Sequence, residues 1–365
     1  MHAIVMHSTQ PWPANARASI DAAAARWGCD VRVFDFAYAP HPSWARLELA
    51  KHLRDYDRVI VLDPDVFISQ DCPNVFALAP RTHVCMAMEL QSLEDRIGPY
   101  PWNGALAEWR NHLGRRVSIE RHLQGGVCLY SPQLHWQTFE KMLGWWNMHG
   151  RFSHAPIYEQ PMWHEVGERL FHLPIRRMSR LLNRHTRKQH ELPQHYIMHL
   201  TGGDKARRIT EANWRASAQE PQEIIRAACE QRTNMQERLR SILHACLFHE
   251  RILVVGEGMH AAARIAAHVT AGKVFWLARD AERSWAQGEA QGRVQLVRGD
   301  PRALAQRLGV TLLIQADDQG SPTASILTES VQSASTAARW WASVSHPDTP
   351  LGSLRQRSLQ ILRGT

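Results

Sequence analysis

Lysine is scarce in this chain: only Lys51, Lys141, Lys188, Lys205 and Lys273 occur among 43 basic residues. The net charge of +8 and the isoelectric point of about 9.5 are therefore carried almost wholly by arginine. Paired cysteines are missing too. The six cysteines stand at positions 29, 72, 85, 128, 229 and 246 with no C-x-x-C spacing. A chain this long needs no disulfide staples, so scattered cysteines imply a reduced setting. No uninterrupted apolar stretch approaches the ~20 residues that a membrane span requires. The opening "MHAIVMHS" runs straight into a strand-like segment and lacks the basic, apolar and small-residue zones of a secretory leader. These absences predict a cytoplasmic protein whose membrane contact is at most peripheral, at the inner face. Short internal repeats are also absent.

What is present is globular. Hydrophobic residues make up 44% and charged residues 21% of the 365 positions, a length that suggests two domains. The positive balance favours an anionic partner: a nucleotide, a nucleic acid, an anionic glycolipid or a membrane surface.

The pattern of elements is α/β. "AIVMH" (3–7) reads as a buried strand. "NARASIDAAAARWG" follows as a helix, with Asn15 as its cap and Gly28 as its stop. "DVRVFDF" (30–36) is a second strand, and "PSWARLELAKHLRDY" a second helix with Ser43 near its start. "RVIVLD" (58–63) is a third strand. Strands alternating with helices predict a parallel sheet, and ligands of such sheets lie beyond the carboxyl ends of the strands. Asp63 and Asp65 stand at such an end. Further strands are expected at 83–89, 125–131 and 195–200. A Trp-rich irregular stretch holds Trp102 and Trp109, and an aromatic helix surrounds Trp145 and Trp146. The run from Arg176 to His190 is strongly basic.

Asp63-Pro64-Asp65 offers two carboxylates separated by one residue. Pro64 restricts Asp63 to an extended backbone, which suits a strand-to-turn junction. Hard divalent cations such as Mn²⁺ or Mg²⁺ take oxygen ligands of this kind. Far downstream, "HLTGGDK" sets Gly202 and Lys205 at three-residue intervals after His199. Neutral imidazole can complete a mixed oxygen and nitrogen site. Gly202 admits close backbone approach to a phosphate, and Lys205 supplies a point charge.

These segments carry a resemblance. From Met1 to about Trp214 the chain resembles glycosyltransferase family 8, whose members have the GT-A fold. "YDRVIVLDPDVFI" is similar to that family's strand and D-x-D segment, and "HLTGGDK" matches its H-x-x-G-x-x-K motif. "QGGVCLYS" resembles the N-A-G-V strand with Gln124 in place of Asn. "YEQPMW" resembles the D-Q segment with Glu159 in place of Asp and Gln160 retained. The resemblance implies a nucleotide-sugar donor, often a UDP-sugar, a Mn²⁺ (or Mg²⁺) ion, and retention of anomeric configuration. By position it implies metal binding by Asp63, Asp65 and His199. It places Gly202, Lys205 and Arg46 near the diphosphate, Thr9 near the base, and Gln124, Glu159 and Gln160 at the donor sugar. Retention could proceed by front-face internal return or by a covalent intermediate. Glu159 is the one carboxylate to nominate as nucleophile, and its preferred role is to accept hydrogen bonds from sugar hydroxyls. Trp102, Trp109 and Trp163 are either core residues or sugar-stacking platforms. The basic run is either a solvated face, a lid over the diphosphate, or a surface for an anionic acceptor.

At Arg251 a second α/β unit begins. "RILVVGEG" with Ala261 satisfies G-x-G-x-x-A, a nucleoside-binding pattern. Asp280, Asp300, Asp317 and Asp318 stand near strand ends. The order of elements resembles class I S-adenosylmethionine-dependent methyltransferases. The loop lacks their run of glycines, so a degenerate Rossmann-like domain is the expected form. The sequence thus predicts a GT-A-like glycosyltransferase domain at 1–215, a helical connector at 216–249 and a Rossmann-like domain at 250–365. The expected activity is transfer of a hexose to a glycan, glycolipid or other glycoconjugate. A nucleic-acid-modifying glycosyltransferase, and a methyltransferase with a glycan-binding first unit, are the competing readings.

Overall fold

A computed structural model describes residues 1–7, 13–34, 44–88, 109–111, 113–114, 117, 122–149, 159–186, 193, 195–200, 213–229, 236–256, 259–277, 294–316, 322–326 and 342–344. The chain is α/β and divides into two compact units, Met1–Gln219 and Glu220–Thr365.

The apolar opening forms β1 (His2–His7), with its four middle residues fully buried. The alanine-rich stretch after it forms α1 (Ala14–Trp27), as the high helix propensity of alanine favours. Gly28 ends α1 at φ 65°, donating its N–H to the Ala24 carbonyl. The expected cap, Asn15, lies inside the helix instead. Pro13 holds the N-cap position at φ −55° and makes no side-chain bond. The fixed backbone of proline, rather than a capping side chain, starts the helix.

Next come β2 (Asp30–Phe34), α2 (Ala45–His52), β3 (Arg58–Leu62), β4 (Val66–Ile68), α3 (Val75–Leu78) and β5 (Val84–Met88). They are followed by β6 (Leu123–Tyr130), the aromatic helix α4 (Pro132–His149) and the short α5 (Glu159–Met162). A π-helical turn, Trp163–Glu168, then leads to β7 (Ile175–Met178), β8 (Arg184–Thr186) and β9 (Ile197–Leu200).

The main sheet has the order β2-β1-β3-β6-β5-β7. β1 pairs in parallel with both β2 and β3, whereas β6 runs antiparallel to β3 and to β5. Every residue of β3 is buried, the mark of an interior strand covered on both faces. That burial includes Arg58, 1% exposed. Its guanidinium donates to the carbonyls of Phe76, Ala79 and Pro80, which satisfies its charge with the carbonyl end of α3. A tryptophan-rich core lies between α2, α4 and the sheet: Trp44 stacks on Trp146 at 4.3 Å, and Trp109 on Trp145 at 5.8 Å. A small second sheet, β4-β9-β8, stands at the carboxyl end of β3.

The second unit contains α6 (Gln219–Cys229) at its start, then α7 (Gln236–Cys246), β10 (Arg251–Val255), α8 (His260–Val269), β11 (Lys273–Leu277) and β12 (Val294–Leu296). It continues with α9 (Pro301–Leu308), β13 (Leu312–Ala316), β14 (Pro322–Ile326) and β15 (Ala342–Val344). The strand order is β12-β11-β10-β13-β14-β15, parallel through β13 and antiparallel beyond it. α7 lies in the stretch expected as a connector, yet it packs on α8 and β14. Among the described residues, no helix is long and apolar enough to cross a membrane.

Candidate metal centre

The buried run of β3 delivers Asp63 to the carboxyl edge of the main sheet. There the Asp63 N–H donates to the Gly126 carbonyl of β6 at 3.0 Å. The chain then turns through Pro64, and the Val66 N–H returns to the Asp63 carbonyl at 3.2 Å. This turn throws the next residues into β4, which pairs antiparallel with β9 and sets Val66 opposite His199. The Leu200 N–H donates to the Asp65 carbonyl at 3.0 Å. Backbone pairing, not side-chain attraction, therefore brings a histidine from late in the unit beside the two carboxylates.

The side-chain geometry follows. His199 Nε2 lies 3.0 Å from Asp65 Oδ1 and 3.7 Å from Asp63 Oδ2. One ligand atom from each of Asp63, Asp65 and His199 falls within 4.8 Å of the others. The Asp65 and His199 side chains are 6% and 7% exposed, and Asp63 is more open at 32%. Two carboxylates this close and this sheltered repel each other unless a cation lies beside them. Arg46 on α2 provides one, with Nη2 at 2.6 Å from Asp63 Oδ1. Sequence reasoning set Arg46 near the diphosphate; the structure sets its guanidinium directly on Asp63. Two carboxylate oxygens and an imidazole nitrogen make a donor set that suits a divalent cation such as Mn²⁺ or Mg²⁺.

Gly126 is a site residue that the sequence reading passed over. A β-carbon built on it would stand 2.2 Å from His199 Cε1 and 3.2 Å from Asp63 Oδ2. Only a hydrogen fits there. The adjacent glycines of "QGGV" were the available signal. The pairing of β5 with β6 also jumps here, from Met86 opposite Cys128 to Ala87 opposite Gln124. Such irregularities re-aim side chains next to functional sites.

Gln124, on the other side of that jump, is 1% exposed. Its backbone carbonyl accepts a bond from Asn183 at 3.5 Å, while both atoms of its side-chain amide are buried with no hydrogen-bond partner among the described residues. A buried amide in that state costs free energy unless a ligand satisfies it. Gln160 is half-buried on α5, which packs against β6. Glu159 begins α5, and its side chain lies outside the described residues. Thr9, Gly202 and Lys205 also lie outside them; β1 ends at His7 and β9 at Leu200.

Two tryptophans considered for sugar stacking are core residues. Trp109 and Trp163 are both 0% exposed, with Trp163 set edge-on to Phe139. Part of the basic run is internally engaged: Arg177 forms a double contact with Glu168, and Arg176 lies 3.4 Å from His83.

In the second unit, Gly256 ends β10 at φ 118°, and the Trp276 indole donates to its carbonyl at 3.1 Å. Asp300, expected near a strand end, stands at the start of a helix. Its carboxylate caps α9, accepting from the Arg302 and Ala303 N–H groups, with Pro301 at the first helical position. Asp280, Asp317 and Asp318 lie outside the described residues.

No protein-family model matches the chain, and no curated protein does. Solved structures do. One is a glycosyltransferase involved in glycosylation of the major capsid of PBCV-1, at 12% identity and a TM-score of 0.38, over 57% of this chain and 98% of that one. Another is the galactosyltransferase LgtC in complex with donor and acceptor sugar analogues, at 11% identity and a TM-score of 0.38, over 60% and 99%. A third is the glycosyltransferase GlyE of Streptococcus pneumoniae TIGR4, at 11% identity and a TM-score of 0.35, over 86% and 85%.

Proposed function

We propose that the first unit is a metal-dependent glycosyltransferase of GT-A type, moving a hexose from a nucleoside-diphosphate sugar, a UDP-sugar in the first instance, to a glycan or glycoconjugate with retention of configuration. The observation that carries this reading is the convergence of Asp63, Asp65 and His199 at the carboxyl edge of the sheet. These are the residues that the D-x-D and H-x-x-G-x-x-K segments single out.

A divalent cation held there would act as a Lewis acid on the diphosphate leaving group. The chain's own residues do the rest. Asp65 and His199, sheltered from water, hold fixed positions through the β4–β9 pairing. Arg46 sets Asp63 and adds positive charge at the same edge. Gly202 and Lys205, just beyond β9, are suited to hold phosphate oxygens. The Gln124 amide offers one donor and one acceptor group to sugar hydroxyls.

A thermal-shift panel tests the reading, with UDP, GDP, CDP and S-adenosylmethionine, each with and without Mn²⁺. A ligand bound by the folded state raises the melting temperature by mass action. A nucleoside diphosphate should do so only in Mn²⁺, and Asp65→Asn should remove that effect. If no nucleoside diphosphate shifts the melting temperature in Mn²⁺, the reading fails. A shift by S-adenosylmethionine alone would support the methyltransferase alternative.

A further inference from the structure

A second group of ionisable side chains, a buried histidine with two partly buried partners, is centred on the helix that carries Glu159 and Gln160, apart from the Asp63, Asp65 and His199 cluster. α5 runs without a break into the π-helical turn. The widened turn is defined by five-residue backbone bonds: the Arg169 N–H reaches back to the His164 carbonyl, shared with that of Val166, and the Phe171 N–H reaches the Val166 carbonyl. A π turn accommodates one residue more than an α-helix would. It therefore rotates everything before it by about 100° relative to everything after it. Glu159 and Gln160 lie before it.

The turn is locked by a chain of polar contacts. His164, 3% exposed, has Nδ1 at 2.5 Å from Glu168 Oε2. Arg177 on β7 grips the same carboxylate with both terminal nitrogens, at 3.3 and 2.8 Å. Burial pushes the Glu168 carboxyl up, but the bonds from His164 and Arg177 outweigh it and hold the group at about 2. Glu168 is thus an anion through the neutral range. The turn is also seated closely on α4. A β-carbon on Gly167 would stand 3.1 Å from the Met142 methyl. Behind it lies His122, fully buried two residues ahead of Gln124 on β6. Burial and the nearby His164 lower its imidazole to about 4.

Holding a buried histidine against a partly buried carboxylate costs free energy unless both are paired. We propose that the His164–Glu168–Arg177 chain holds the π turn and thereby sets the helical phase of the Glu159–Gln160 segment, making His164 a positioning residue for the donor-sugar side of the site. The proposal rests on the glycosyltransferase reading above.

The test compares His164→Ala with His164→Asn, whose Nδ2 stands where His164 Nδ1 does and keeps a donor for Glu168. The assay is Mn²⁺-dependent release of UDP from UDP-glucose and from UDP-galactose, with Mn²⁺ affinity by calorimetry and amide exchange at Arg169 and Phe171. His164→Ala should lower kcat about 10- to 100-fold, as a small displacement of reacting groups does. Its Mn²⁺ affinity should be unchanged and exchange at both amides faster, and His164→Asn should restore most of each loss. If His164→Ala does not fold, Glu168→Gln takes its place in the comparison. Wild-type kcat and exchange in the truncated variant, or equal losses in both His164 variants, would overturn the positioning role alone. A wild-type chain that binds no UDP in Mn²⁺ and releases none overturns the glycosyltransferase reading, while the exchange rates still report whether His164 holds the turn.

Discussion

Gly126 and His199 occupy one space. A β-carbon on the glycine would lie 2.2 Å from Cε1 and 2.3 Å from Nδ1 of the imidazole, so the ring stands where any other residue's side chain would begin. The backbone carbonyl of the same glycine accepts the Asp63 N–H. One residue therefore both admits the histidine and fixes the first carboxylate.

Gly126→Ala should accordingly push His199 out of the cluster while leaving Asp63 and Asp65 in place. Mn²⁺ binding, measured by calorimetry, should weaken on the order of 10- to 100-fold, as loss of ligand orientation does. The clash is local to one ring, so the melting temperature without metal should fall far less than the affinity does. Unchanged Mn²⁺ affinity would show that His199 is not a ligand.

Much of this cluster was legible in the sequence because its residues stand in or just beyond apolar strands. β3 is an unbroken buried run that ends just before Asp63, and β9 is buried throughout with His199 as its third residue. Other features were not legible, for physical reasons. The Arg46–Asp63 contact depends on how α2 crosses the sheet edge, which no local spacing encodes. Asn15 has the chemistry of a cap, but Pro13 sets the backbone two residues earlier. Asp300 looks like a strand-end acid, yet Asp followed by Pro is equally the start of a helix. The π turn has no sequence period of its own. It becomes visible only through its five-residue bonds.

Arg46 would compete with a bound cation for Asp63. Its side chain is 7% exposed and Nη2 lies 2.6 Å from the carboxylate, so its charge is weakly screened. Arg46→Met should raise Mn²⁺ affinity in the absence of nucleotide by at least about tenfold, because a like charge a few ångströms away is removed. The same variant should be less stable without metal, because two carboxylates are left without their cation. A fall in Mn²⁺ affinity would instead show that Arg46 holds Asp63 in its ligating position.

Arg58 is a structural charge rather than a functional one. It is 1% exposed and donates to three carbonyls at the end of α3 and just beyond it. Arg58→Ala strands those acceptors and leaves a void beneath β3. Unfolding in urea should show a loss of about 2 to 4 kcal/mol. Mn²⁺ affinity should be unaffected at temperatures where the variant is folded, since Arg58 lies at the opposite end of β3 from Asp63.

His122 should make the first unit acid-sensitive. Its imidazole is fully buried and is held down to about 4 by burial, with a smaller contribution from His164, against an ordinary 6.5. Between those values the unfolded chain binds a proton that the folded chain refuses, so acid favours unfolding. Above about pH 6.5 neither state is protonated there, and the contribution is full. It declines as pH falls from 6.5 to 4, and below 4 both states are protonated and the loss is complete. A shift of this size corresponds to about 3 kcal/mol. His122→Gln cannot titrate, so the stability of wild type minus that of the variant should be flat above pH 6.5, fall by about that amount down to pH 4 and be flat again below. Urea unfolding at half-unit pH steps measures it directly. A difference that does not vary between pH 7 and pH 4 would show that His122 takes up its proton in the folded protein as readily as in the unfolded chain.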